Sequence, residues 1–370
     1  MSSEIETKTQ RIVELLAKEK LGGVLLNAQH NFAWITGGRS NGVDLSRENG
    51  AASVFVRADG KRFLLANSIE TPRLLAEEVS TEDFEPVEFT WQDEKAEGAL
   101  VIRKAHELAD GDIATDLLFE NKTPLLESEI AQCRFELTAA EIERYRSLGK
   151  DAALAMSKTI HSIRPGESEI DIAAKLRAEL AVKNINSVVT LAAADERIAT
   201  FRHPVPTEKR LRKVLLLVTC SKRSGLIASL SRMICVGQVP DELQARTEAA
   251  AFVNAMLSRA TRLGVTGPEL YETAAHAYAN AGFPDEINLH HQGGATGYRT
   301  REWVAHPKSR EVVKDNQAFA WNPSISGTKI EETFIVTSIG IENLTNSDDT
   351  PKIETKIDGR IFESPGIIGL

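Results

Sequence analysis

The stretch from Leu137 to Ile163, LTAAEIERYRSLGKDAALAMSKTIHSI, does most to restrict the fold, because it reads as one long helix. Thr138 stands as its N-cap with Glu141 three residues on, the capping-box arrangement that satisfies two otherwise unpaired amides at once. The pattern of the chain changes here, so we place a domain boundary just before it, giving residues 1–135 and 136–370. A length of 370 residues independently predicts two domains, since a single core stops growing below that size.

In the first part, Ile12, Val13, Leu15 and Leu16 form a helical stripe that Gly22-Gly23 ends. GVLLN and NFAWITG read as strands, and SVFVRADGKRFLLA as a hairpin turning at Asp59-Gly60, where a tight turn needs positive φ. Helices through TPRLLAEEV and GALVIRKAHEL alternate with the strands PVEF and GDIATDL, which makes a small α/β domain. In the second part, helices through EIDIAAKLRAELAVKN, ARTEAAAFVNAMLSRAT and GPELYETAAHAYANAGF accompany a hairpin of KVLLLVTC with GLIASLSRMICVG. Later strands run through AFAWNPSIS and IEETFIVTSIGIENLT, so the second domain reads as α+β.

Composition excludes several functions. No apolar run approaches the roughly 20 residues that span a bilayer, and the charged, amphipathic start lacks a secretory pattern. Cys133, Cys220 and Cys235 form neither a disulfide framework nor a zinc ribbon, so a reducing cytoplasm is expected. A net charge of -9 disfavours nucleic acid, whose binders cluster Lys and Arg to neutralise phosphates.

Several marks occur in a telling order: the helix EIERYRSLGKDAALAM, the turn RPGESE, the hairpin ending SLSRMICVG, the glycine-rich HHQGGATGY, and GTKIEETFIVT. Together they resemble the creatinase, prolidase and aminopeptidase P superfamily over the whole chain. The resemblance implies a pita-bread C-terminal domain preceded by a small creatinase-type N-terminal domain, and a homodimer. Its metallopeptidases hold two divalent metals with two Asp, one His and two Glu. Registered on Gly225 and Arg232, the two Asp positions fall on Val218 and Ser229; the His falls on Gly294 and the first Glu on Asn322. Glu331 alone survives, and no Asp or Glu occurs between Lys213 and Gly237 to repair the loss by a shift. The usual metal pair is therefore not expected, although a relocated site built from His290, His291, Glu302 and Glu331 stays open.

Creatinase implies another route, because it breaks a C–N bond on this fold without metals. His203, in ATFRHPVP, occupies the place of an active-site His, and imidazole moves protons near neutral pH. Glu331 is expected either to orient His203 and position water, or to form an ion pair with Lys329 or a nearby arginine. In HHQGGATGYRTREW, Gly293, Gly294 and Gly297 allow close backbone approach, while His291, Arg299, Arg301 and Glu302 supply binding chemistry. Ser229 and Asn322 would line the pocket as neutral hydrogen-bonding groups. The resemblance places Trp34 and Arg39 on a loop that reaches a partner's site, with Trp34 alternatively a core residue. The expected function is thus a metal-independent, creatinase-like hydrolase or lyase, without cofactor, acting on a C–N bond of a small carboxylate-bearing substrate. Two alternatives remain: a non-catalytic binding descendant, and an Xaa-Pro metallopeptidase with a relocated site.

Overall fold

The computed structural model describes residues 2–119 and 123–370. The chain divides into two compact units, Met1–Arg134 and Phe135–Leu370.

The first unit is built on a five-stranded mixed sheet. Its strands run in the spatial order Glu85–Phe89, Arg62–Asn67, Asn49–Arg57, Gly23–Ala28, Ile113–Thr115. The central hairpin pairs Ala52 with Ala66 and turns at Gly60, whose φ of 86° is the left-handed conformation expected for Asp59-Gly60. Leu25, Phe55, Phe63, Leu65, Leu100 and Ile102 form a core on one face of the sheet. NFAWITG departs from expectation, since Gln29–Ile35 is a helix. Every residue from His30 to Ile35 is buried, so the segment carries no periodicity that could separate a helix from a strand.

The second unit contains the long helix Ala139–Ser162, opened by the expected Thr138–Glu141 capping box. Helices Glu169–Ala181 and Gly267–Asn280 start with boxes of the same kind, and Asp241–Ala260 is the remaining long helix. A four-stranded sheet runs Ile367–Gly369, Leu226–Cys235, Val214–Arg223, Asn186–Ala194. A five-stranded sheet runs Trp303–Val304, Gly293–Thr296, Gln317–Trp321, Glu332–Thr337, Gly340–Asn343. Strand Leu226–Cys235 joins the two sheets by hydrogen bonds from Ile227 N to Gly297 O (2.8 Å), Ser229 N to Thr333 Oγ1 (2.8 Å) and Ser231 N to Glu331 O (3.0 Å). These bonds bring the glycine-rich segment and the Glu331 strand against the hairpin. Among the described residues, no helix is long and apolar enough to cross a membrane.

Candidate active site

A cavity of about 300 Å³ opens in the second unit where the two sheets meet. Val218 and Cys220 of the hairpin, His203, His291, Arg301, Asn322, Lys329 and Glu331 all face it. Two loops deliver its histidines and are held by polar groups. Arg202 binds Glu286 (2.5 Å), Ser324 Oγ (3.2 Å) and Ser326 Oγ (2.9 Å), which fixes the neighbouring His203. The Pro204 carbonyl, next to His203, accepts from the Ala192 amide. Gln292 accepts from the Tyr278 hydroxyl (2.6 Å) and donates to the His290 carbonyl, so the segment carrying His290 and His291 is anchored from behind.

The three imidazoles converge. His203 Nε2 and His290 Nε2 lie 3.1 Å apart, and the His290 and His291 rings stack with centroids separated by 4.5 Å. Burial, reinforced by the Lys329 ammonium, pushes the His290 pKa down to about 2. Burial and then Arg301 push that of His291 down to about 4, and His203 is lowered by burial and Lys329. All three are thus neutral bases near pH 7.

Glu331 is 2% exposed and bound by both Lys329 Nζ (2.9 Å) and Arg301 Nη2 (3.1 Å). Burial alone would raise its pKa, but the two cations prevail and hold it below the usual carboxylate range. Of the two expectations for Glu331, the ion pair is therefore the one realised, and no hydrogen bond joins it to His203 among the described residues. His203 is partnered by His290 instead.

Two polar atoms at this cavity lack hydrogen-bond partners among the described residues: Arg301 Nε, a donor, and Asn322 Oδ1, an acceptor. Arg301 Nη1 is spent on the Thr300 carbonyl (2.6 Å).

Ser229, Arg299 and Glu302 lie outside this cavity. Ser229 is fully buried behind the wall, its hydroxyl donating to Cys220 Sγ at 3.3 Å, so Cys220 takes its place at the cavity. Arg299 is exposed and does not line the cavity. Glu302 turns to the Tyr298 amide (3.0 Å) and joins neither the cavity nor the histidines. Trp34 is a fully buried core residue of the first unit, with the Lys8 ammonium 5.8 Å from its ring centre. Arg39 lines a separate cavity of about 370 Å³ within that unit, beside Glu78 and Phe84. The sequence names Lys329 only as an ion-pair partner of Glu331, and gives no role to Cys220 or Arg202; the adjacency of Arg202 to His203 is the available signal for the last.

The donor set does not fit a dinuclear metal pair at the expected positions. Val218 has no donor and packs in the apolar cluster of Leu191, Leu216 and Met233. At Gly294 a Cβ would stand 2.1 Å from the Trp303 carbonyl oxygen, so the close approach of two strands occupies the space of a ligand side chain. Glu331, the surviving carboxylate, is already engaged by two cations.

Residues 143–338, more than half of the chain, match the metallopeptidase family M24. An Xaa-Pro dipeptidase from Lactobacillus helveticus is 24% identical over 237 residues. That match covers 61% of this chain and 64% of the relative, so the chain spans less than two thirds of the relative's length. A dipeptidase structure from Pyrococcus horikoshii OT3 superposes with a TM-score of 0.78 at 18% identity, covering 98% of this chain and 100% of that one. The X-Pro aminopeptidase from Thermotoga maritima MSB8 gives 0.75 at 18% identity, covering 98% and 99%. At these identities the structural likeness speaks for the fold, which is the expected pita-bread arrangement. With that fold, and with the match running from the long helix through the Glu331 strand, the chain belongs to metallopeptidase family M24 in the creatinase, prolidase and aminopeptidase P superfamily.

Proposed function

We propose that the protein hydrolyses a C–N bond in a small carboxylate-bearing molecule, with histidines doing the proton transfer that the family assigns to a metal pair. The observation that carries this reading is the pair of orphaned groups at the cavity, Arg301 Nε and Asn322 Oδ1. A buried polar atom without a partner costs about 1–3 kcal/mol, and such atoms are tolerated where a ligand completes them. A donor and an acceptor left open together suit a ligand offering a carboxylate and an N–H. The relatives' names supply one such class, since a dipeptide bears both.

Lys329 and Arg301 share a single carboxylate, Glu331, which leaves the cavity wall one positive charge to attract an anion. With the substrate anchored there, a neutral imidazole can take a proton from water as its oxygen bonds to the carbonyl carbon. The same proton then goes to the nitrogen as the C–N bond breaks. His203 suits this role because it lines the cavity and its ring pairs with His290, with which it can exchange donor and acceptor roles.

The test is a screen of dipeptides, amides and N-substituted amino acids, followed by kinetics of two variants. His203→Ala should lower kcat with little change in KM, whereas Arg301→Ala should mainly raise KM. Equal, modest effects of both on one parameter would defeat the assignment. One observation favours a binding-only role: the cation-bound Glu331 is not free to act as a base. Saturable ligand binding with no product at any protein concentration would establish that reading instead.

A further inference from the structure

We infer that His203, His290 and His291 form a mononuclear transition-metal site, separate from the family's metal positions and not foreseen as this trio in the sequence. One nitrogen from each ring lies within 4.8 Å of the others. The His203 and His290 Nε2 atoms are 3.1 Å apart, close to the about 3.3 Å that separates two nitrogens bound to one tetrahedral zinc.

A hydrogen bond between the two rings would give the same spacing, and His290 Nδ1 is without a partner among the described residues in either case, on a side chain only 9% exposed. A cation bound at both Nε2 atoms would take the lone pair of each, with the ring protons carried on the Nδ1 atoms. Arg202 and Gln292 anchor the backbone on either side of the cluster, so the three rings stand near one another, and His291 closes on the other two when an ion binds.

An all-imidazole donor set suits zinc, cobalt(II) or nickel(II) and disfavours magnesium, calcium and manganese, which prefer oxygen. Lys329 and Arg301 against Glu331 leave a net positive wall in the same cavity, which opposes a cation. A bound carboxylate would cancel that charge, so metal and anionic ligand should bind with mutual assistance. The metal and the proton-transfer role draw on the same nitrogen lone pairs, so the stripped and loaded proteins are distinct states. The inference goes beyond the hydrolytic reading: absence of metal binding would leave that reading intact, and absence of hydrolysis would leave the site intact.

The experiment uses the full, untagged chain, stripped with chelator and titrated with cobalt(II) and zinc(II) by calorimetry and visible absorption. One equivalent per chain is expected, with the absorption bands of tetrahedral cobalt. His203→Asn and His291→Asn should each weaken it by more than the roughly 10–100-fold that loss of an outer partner costs. These two rings are open to the cavity, so their variants should fold even where His290→Asn does not. Glu302→Gln, outside the cavity, should retain binding. Failure of the wild-type protein to bind, survival of binding in both His variants, or loss confined to Glu302→Gln would each overturn the inference.

Discussion

At the scale of single residues, the site is defined by substitutions that close one chemistry and open another. Glu331 is the clearest case: the surviving metal-ligand carboxylate has become the counter-ion of two cations in a nearly sealed setting. Removing one member of a buried pair typically costs about 3–5 kcal/mol, because the remaining charge is left uncompensated. Glu331→Ala should therefore lower the unfolding free energy by about that amount in urea titrations, and a change under about 1 kcal/mol would show that the cavity solvates Lys329 and Arg301 unaided. Gly294 makes a second case. Restoring the family's histidine there should not restore metal binding, since its Cβ would meet the Trp303 carbonyl at 2.1 Å. Gly294→His is expected to lower the melting temperature and add no bound metal beyond the wild-type content. A gain of one ion by mass spectrometry would show that the two strands can separate to admit a ligand.

At the scale of elements, local chemistry was legible where it acts within one turn. Thr138 with Glu141 announced the long helix, and Asp59-Gly60 announced the hairpin, because caps and turns depend on a few neighbouring residues. NFAWITG was not legible as a helix. Its burial on all sides comes from tertiary packing, including Asn31 bonded to Asp116 (2.9 Å) and Glu127 (2.6 Å). The hairpin Lys352–Ile357 with Arg360–Pro365 was also not assigned, though its first strand alternates exposed and half-buried positions with the period of two that marks a strand. Packing also sets the expected effect of a helical glycine. Gly149 sits mid-helix, where alanine ordinarily gains about 1 kcal/mol, yet a Cβ there would stand 2.2 Å from the Leu344 carbonyl. Gly149→Ala should therefore destabilise by about 1–3 kcal/mol, as overpacking does, and a stabilised variant would mean that the helix can shift away from Leu344.

At the scale of the whole molecule, the ordered motifs made the family readable, whereas the cavity was only partly so. His203, His291, Arg301, Asn322 and Glu331 were foreseen at one site and do line one cavity. The meeting of His203 with His290 was not foreseen, because the contact joins loops 87 residues apart and depends on Arg202 and Glu286. That cluster should govern acid stability. Near pH 6.5, the ordinary imidazole value, the unfolded chain takes up protons that folded His290 and His291 refuse. The unfolded state then binds more protons, so stability falls as pH drops below that value, and it continues to fall toward the lowered folded values. Glu331 acts later in the same sense, its contribution being lost as pH falls below the ordinary carboxylate range. Asp116, raised to about 6 by burial, and Glu332, also raised by burial, act oppositely as pH falls, each regaining stability. The decisive quantity is therefore the difference between wild-type and His290→Asn protein, in which those carboxylates cancel. Melting temperatures measured from pH 7 to pH 4.5 should fall more steeply for the wild type; parallel curves would mean that His290 takes up its proton in the folded state as readily as in the unfolded one.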